Sequence, residues 1–273
     1  MKWELVPGGD LALDLTLQSG QAFHWEKTPQ GYWVGLIGEI PVRAREDGGR
    51  LFVNPGAEKI AAHYFALDHP LEEIYAAFPN DSQSRQALHA CRGLRILRQP
   101  LWECLATFIT SSMKQVAHIR AMSLALRAKF GTPVQGYPQP HVLAQSDELS
   151  LRACGLGYRA KHLLAVARGV EEGCFDLEGW RTLNTADLRC ALVGLPGVGV
   201  KVANCVLLFA YERLDAVPID VWIGRVLLQM RGGRRGTASQ LARYAHRRLG
   251  PYAGYVQQYL FHVARVSPKI ATS

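Results

Sequence analysis

No Cys-x-x-Cys pair occurs in this sequence, and its six cysteines stand apart at positions 91, 104, 154, 174, 190 and 205. That spacing supports neither a disulfide scaffold nor a sulfur-ligated metal, and redox chemistry falls away with them. The nine histidines are equally dispersed and no His-Glu-x-x-His segment is present, which argues against zinc. The opening MKWELVPGGD lacks the apolar stretch of a secretory signal, and nowhere do about 18 uncharged apolar residues run in succession. An intracellular protein without membrane attachment is expected. Also missing are a Walker phosphate loop, a dinucleotide fingerprint after a strand, internal repeats and any low-complexity tract.

What is present is a chain of 273 residues, enough for one large core or two modest ones. Its 31 Lys and Arg outnumber 23 Asp and Glu, and the formal charge of +8 favours a polyanionic partner without choosing nucleic acid over acidic lipid. Arginines recur at 225, 231, 234, 235, 243, 247 and 248, so much of the basic surface belongs to the C-terminal third, with a merely solvated face as the lesser alternative.

The first fifty residues read as short strands. LALDLTL alternates Leu11, Leu13, Leu15 and Leu17 with other residues, and the run from Gly31 to Pro55 contains apolar stretches separated by Asp47-Gly48-Gly49, a strong hairpin signal. Helical spacing follows in AEKIAAHYFAL and LEEIYAAF. From QPLWECLATFITSS onward the pattern is nearly all helical, with segments near 114–130, 157–172, 185–193, 199–211, 221–230, 238–249 and 253–265. The expected class is α+β: an amino-terminal antiparallel sheet domain with helices over 1–98, then a helical body over 99–273.

Within that body, LVGLPGVGVKVANC describes a helix, a proline-glycine turn and a second helix over about 185–211. Gly197 and Gly199 permit tight dihedrals and let backbone N–H groups approach an anion, which the following helix N-terminus also attracts. A helical turn with no ligand is the bland alternative. Lys201 falls in the first turn of the second helix. Apolar Val200, Val202 and Ala203 and the helix N-terminus both push a lysine toward its neutral, nucleophilic form, suited to attack on a sugar carbon. A solvent-facing lysine touching phosphate fits the same letters. Farther on, AVPIDVWIGRVL places Asp220, in the 217–221 region, at the start of another helix, as a cap, as a carboxylate held near a reacting sugar, or as both.

Together LPGVGVKVANC and AVPIDV resemble the helix-hairpin-helix DNA glycosylases, particularly the 8-oxoguanine DNA glycosylase/AP-lyase family. LDLTLQSGQAFHW is similar to that family's sheet-domain motif, GPYAGYVQQYLF to its terminal recognition helix, and FITSS and CGLGYRAKHL extend the likeness from about residue 10 to 265. The resemblance implies that Lys201 attacks the sugar C1′ to form a Schiff base and that Asp220 supports cleavage of the glycosidic bond. It implies that the Gly20 carbonyl receives the N7–H that distinguishes 8-oxoguanine from guanine. Gln257 would read the base's Watson–Crick edge, with Phe261 and Cys205 as the faces of a stacking slot. On the residues alone, Gly20 is a turn glycine, Gln257 a helix-surface residue, and Phe261 and Cys205 core.

The same resemblance makes Tyr158 and Arg159 residues that enter the DNA stack and contact the cytosine left behind. It makes the carbonyls of Val193, Leu195 and Val198 holders of a Na+ or K+ ion beside the hairpin. No cofactor is required, and no iron–sulfur cluster is expected, because its four-cysteine tail is missing. Departures stand at the DNA-contacting positions. MKQ (113–115) occupies the place of an asparagine triplet, His118 that of an arginine and Trp222 that of a histidine, while His262 lies near a usually acidic or polar contact. Met113 fills a gap by packing but offers no amide hydrogen bonds, so flipping is expected with a weaker demand for cytosine opposite the lesion.

The resulting expectation is a monomeric bifunctional enzyme that excises 8-oxoguanine from duplex DNA and cleaves the strand by β-elimination. It would work in the cytoplasm or nucleoid of a bacterium, or in the nucleus of a eukaryote. Rival readings are a glycosylase for another damaged base and a non-enzymatic DNA-binding module. The joint presence of Lys201, Asp220, Gly20 and the terminal motif speaks against the second.

Overall fold

The computed structural model of the chain describes residues 2–266. Its elements in chain order are β1 (Glu4–Leu5), α1 (Leu13–Gln18), β2 (Glu26–Lys27), β3 (Trp33–Ile37), β4 (Ile40–Asp47), β5 (Arg50–Val53), α2 (Glu58–Tyr64), α3 (Leu71–Ala76), α4 (Ser82–Ala90), α5 (Leu101–Thr110), α6 (Val116–Phe130), α7 (Pro140–Ala144), α8 (Glu148–Leu151), α9 (Arg159–Glu171), α10 (Thr185–Val193), α11 (Val200–Phe209), α12 (Val221–Met230), α13 (Ala238–Leu249) and α14 (Ala253–Val266). A π-helical turn, Arg152–Leu156, separates α8 from α9. The α+β class holds. No described helix is long and apolar enough to cross a membrane.

The strands lie in the order β1-β5-β4-β3-β2. Pairing is antiparallel, with Glu4 opposite Val53, Glu26 opposite Val34 and Trp33 opposite Ala44. Gly48 and Gly49, at φ +56° and +77°, make the two-residue turn that Asp-Gly-Gly signalled. The alternating LALDLTL segment, by contrast, is the helix α1 rather than a strand. Leu13, Thr16 and Leu17 are its buried residues, which is helical i, i+3, i+4 spacing, and the Leu13 N–H donates to the Glu46 carboxylate at 2.8 Å.

The chain forms two compact units, each assembled from separated pieces: residues 1–21, 45–98 and 212–273, and residues 22–44 and 99–211. Position 98/99 is thus one of four crossings between them. The C-terminal helices belong with the first unit because they are bonded into it. The Tyr259 hydroxyl donates to the Leu94 carbonyl at 2.7 Å, and the Tyr255 hydroxyl lies 2.7 Å from His69 Nδ1 and accepts the Ile96 N–H at 3.2 Å. Buried Arg95 ties the same unit together, donating from Nε to the Asp10 carbonyl at 2.6 Å and from Nη1 to the carbonyls of Ala66 and His69.

In the second unit the early strands are held by α5 and α6. Arg120 donates to the Trp25 carbonyl at 2.6 Å, and the Phe23 ring meets the Phe108 ring edge-on with centroids 6.0 Å apart. His24 Nε2 donates to the Leu36 carbonyl at 2.7 Å, while Nδ1 lies 3.2 Å from Glu103, itself paired with Arg127. Burial, and then the Arg127 charge, push His24 down to about 3, so the ring is neutral at physiological pH.

Candidate active site

The α10–α11 hairpin lies wholly in the second unit and is built around an apolar interior. Leu188, Leu192, Leu195 and Val198 are buried, and Asn184 caps α10 by accepting the Ala186 and Asp187 N–H groups at 3.0 Å. Gly197 is required twice over. Its φ is +77°, and a Cβ there would lie 2.7 Å from Cβ of His162 on α9. Gly199 has an ordinary φ of −91°, and a Cβ on it would meet nothing within 4 Å. Its value lies in what it leaves open: α11 begins at Gly199 with no side-chain cap, so first-turn N–H groups remain available to an anion.

Lys201 is half-buried one residue into α11, with Nζ 5.3 Å from the centroid of the Phe108 ring. Phe108 is buried and stacks on Phe209 with centroids 5.5 Å apart. The apolar surroundings expected of Lys201 therefore come from α5, a source the local sequence does not reveal, and only in part from its neighbours. Val202 and Ala203 are buried but Val200 is 57% exposed. Cys205 is buried one turn beyond Lys201 on the same face of α11.

The second unit also gathers the expected DNA-contacting residues other than Trp222, in different states. Met113 is 94% exposed, just past the end of α5, with φ at +54°. Tyr158 is exposed at the start of α9, after Gly155 and Gly157 break the helix with φ of +83° and +58°, and its ring meets the His162 ring edge-on at 6.4 Å. His118 is exposed on α6. Arg159 is not free for a base in this structure. It is 5% exposed, its Nε donates to the Ser112 carbonyl at 2.9 Å, and its guanidinium lies 4.4 Å from the Tyr158 ring centroid.

In the first unit, Gly20 forms a turn at φ +82°, locked by its neighbours. Buried Gln21 donates to Ser19 Oγ and to the Arg95 carbonyl, each at 2.8 Å, and accepts the Leu97 N–H at 2.8 Å. Gln258 of α14 donates to the Ser19 carbonyl at 2.9 Å, which fastens the recognition-type helix to that turn. The adjacent Gln257 is only 3% exposed, yet its Oε1 has no hydrogen-bond partner among the described residues. That amide oxygen is free, among the described residues, to accept a hydrogen bond from a bound group. Phe261, one turn on, is half-buried, with the Arg265 guanidinium 5.6 Å from its ring centroid. His262 is buried, its Nδ1 has no partner among the described residues, and burial followed by the Arg265 charge pushes its pKa down. Gln21 and Gln258, which fix Gly20 and α14, escaped the sequence reading; their only signals were the letters beside Gly20 and Gln257.

Asp220 caps α12, with Oδ1 accepting the Ile223 N–H at 2.9 Å and Oδ2 left without a partner among the described residues. Trp222 follows, half-buried, with the exposed Arg225 guanidinium 5.4 Å from its ring centroid.

Residues 5–105 match the family model of the 8-oxoguanine DNA glycosylase N-terminal domain. A probable N-glycosylase/DNA lyase of Methanothermobacter thermautotrophicus is 31% identical, the likeness covering 96% of this chain and 96% of that protein. The solved structure of MBOgg1 in complex with a low-affinity DNA ligand superposes with a TM-score of 0.91 at 29% identity, covering 98% of this chain and all of the other. The Clostridium acetobutylicum 8-oxoguanine glycosylase/lyase, in complex with duplex DNA containing cytosine opposite 8-oxoG, shares the fold with a TM-score of 0.90 at 24% identity, over 98% of this chain and 99% of that one. With a hairpin open at its helix N-terminus, a lysine in the turn beyond it and a relative matched along nearly its whole length, the chain belongs to the 8-oxoguanine DNA glycosylase/AP-lyase family of helix-hairpin-helix glycosylases.

Proposed function

We propose that the chain excises 8-oxoguanine from duplex DNA and then cuts the strand, with Lys201 as the nucleophile of the first step and its imine as the electron sink of the second. The observation that carries the lysine assignment is its setting: the first turn of a glycine-capped helix, with Nζ over the buried Phe108 ring. Backbone N–H groups at the hairpin hold a phosphate, and Lys201 on the same helix is thereby aimed at the attached sugar.

In the first step the Nζ lone pair forms a bond to C1′ as the C1′–N9 bond breaks, and the base leaves with the bonding pair and takes up a proton. Asp220 stabilises the positive charge that develops on the sugar, its geometry already fixed by the cap it makes to Ile223. Opening of the sugar ring yields the imine between Nζ and C1′. The imine acidifies the C2′ proton; its removal expels the 3′ phosphate by β-elimination, and water then releases the lysine. The departed base, held nearby, is a competent proton acceptor for that removal.

Base choice falls to Gly20 and Gln257. The Gly20 carbonyl accepts the N7–H that guanine lacks, and the unpartnered Gln257 amide oxygen takes a donor on the base's Watson–Crick edge. Phe261 and Cys205 each offer the base an apolar face. Met113 and Tyr158, both exposed, fill the stack from which the base is drawn. Trp222 and His118 lie where DNA contacts are expected of them, and neither reproduces the donor pattern of the residue it replaces. A Na+ or K+ ion fits the hairpin, since the Val193 and Val198 carbonyls accept no backbone hydrogen bond among the described residues and Leu195 accepts only the Val198 N–H at 3.1 Å. Bound there, such an ion would add positive field for the phosphate. The enzyme works wherever chromosomal DNA is kept.

Borohydride trapping tests the chemistry. Wild type should form a covalent adduct with a duplex containing 8-oxoguanine and none with undamaged or alkylated duplexes, and K201Q should bind the damaged duplex without being trapped. Equal trapping by K201Q would overturn the assignment of the nucleophile.

A further inference from the structure

We propose that Gln258 is a specificity-determining positioning residue that aims the Gly20 carbonyl, and so sets how well 8-oxoguanine is told from guanine, given the base-reading roles assigned above to Gly20 and Gln257. Gly20 is half-buried at φ +82°, and its carbonyl accepts no hydrogen bond among the described residues. A glycine has no Cβ to restrict its backbone, so sterics alone do not aim that carbonyl. A sensor that relies on one hydrogen bond to it needs its direction fixed by other means.

Anchors stand on both sides of the glycine. Gln258 Nε2 donates to the Ser19 carbonyl at 2.9 Å, and that carbonyl belongs to the Ser19–Gly20 peptide, whose plane helps define φ at Gly20. On the other side, the Gln21 side chain donates to Ser19 Oγ and the Arg95 carbonyl and accepts the Leu97 N–H, each at 2.8 Å. Arg265 Nη2 donates to the Gln18 carbonyl as well. Gln258 and Arg265, seven positions apart, share one stripe of α14, and Gln257 and Phe261, four apart, share the next. The helix that carries the base-contacting side chains therefore also anchors the turn that carries the carbonyl. Ser19, Gln21 and Gln258 are all buried, Gln258 to 2% exposure, so these bonds are made within the fold and not at a surface that meets DNA. At N7, 8-oxoguanine presents an N–H where guanine presents a lone pair. A carbonyl oxygen held in place bonds the first and repels the second, whereas one free to swing does neither well.

The experiment is Q258M, which keeps the unbranched shape of glutamine and drops the donor. In a K201Q background, binding is measured to one duplex carrying either 8-oxoguanine or guanine at the same position. Q258M should weaken binding of the 8-oxoguanine duplex about five- to tenfold, the size of one neutral hydrogen bond. Affinity for the guanine duplex, which phosphate contacts dominate, should stay within about twofold. With Lys201 intact, Q258M should slow single-turnover excision of 8-oxoguanine by a similar factor, while borohydride trapping on a ready-made abasic site, where there is no base to read, stays within about twofold of wild type. An unchanged ratio of the two affinities would overturn the proposal. So would an equal fall in both affinities, or a fall in abasic-site trapping that matches the fall in excision, since either would leave Gln258 a residue of the fold alone. Should Q258M melt below the assay temperature, Q258L replaces it under the same criteria. A K201Q protein with Gln258 intact that shows no preference for 8-oxoguanine would sink the underlying functional reading instead, a result separable from failure of Q258M alone.

Discussion

Asp220 Oδ1 accepts the N–H of Ile223 at 2.9 Å, so the carboxylate assigned to the chemistry is also the N-cap of α12. The two duties separate by substitution. Asparagine caps a helix about as well as aspartate, whereas alanine costs about 1 kcal/mol. D220N should keep the melting temperature of wild type and lose base excision, while D220A should lose both. Thermal melts beside single-turnover excision decide it; a D220N enzyme that retains wild-type excision would leave Asp220 with the cap alone.

Gln257 supports a prediction of opposite signs for stability and activity. Its buried Oε1 pays a desolvation cost of about 1–3 kcal/mol with no partner among the described residues to offset it. Q257L, close in volume and without the polar atoms, should therefore leave the protein as stable or raise its denaturation midpoint, while excision of 8-oxoguanine falls by about a hundredfold. A lowered midpoint would mean that the amide is bonded within the fold after all.

Basic charge is unevenly placed: no Asp or Glu follows Asp220, and nine of the 31 Lys and Arg do. Arg234, Arg235, Arg243 and Arg247 are exposed, whereas Arg248 is paired with Asp81 at 2.9 Å. Each phosphate contact contributes about 0.9 to the slope of log affinity against log salt concentration. Replacing the four exposed arginines with glutamine should reduce that slope by about 2–3 for undamaged duplex. An unchanged slope would assign them to a solvated face.

Acid stability should depend on Glu212. Its carboxyl is faced by the His69 ring at 4.0 Å and by Arg98 Nε at 2.8 Å, and these partners hold it down to about 2 from an ordinary 4.5. The 4.0 Å approach of His69 is too long for a hydrogen bond, so Arg98 is the stronger partner. Because the folded value is the lower one, the stabilisation is fully present above pH 4.5 and is lost as the pH falls toward about 2. E212Q should be less stable than wild type at pH 7 by at most about 1 kcal/mol, the pair being part-exposed, and the gap should be narrower at pH 3 without having closed. Denaturant titrations at the two pH values measure it; a gap independent of pH would rule out the ion pair as its source.

Much of this protein is local, and local rules are legible in a sequence. The proline-glycine turn, α12 over Val221–Met230 and α13 over Ala238–Leu249, and the Asp-Gly-Gly hairpin each follow from turn chemistry, caps or spacing within about a dozen residues. The family's motifs also lie in such short stretches, which is why Lys201, Asp220, Gly20 and Gln257 were nameable. Even there the letters misled once: the alternating leucines of LALDLTL suit a strand, and burial of Leu13, Thr16 and Leu17 made a helix of them.

Tertiary packing decided the rest. Gln257 and Gln258 are identical in kind and adjacent, yet Gln258 is bonded to Ser19, 239 positions away, and the oxygen of Gln257 is left over. Phe108, beneath Lys201, comes from another helix, and Arg159 has its fork turned inward onto Ser112. None of these is a property of a short segment. Which polar atom finds a partner depends on contacts closed across long stretches of chain, so the sequence determined the kinds of groups available and the fold alone settled which were bonded and which, among the described residues, were left without a partner.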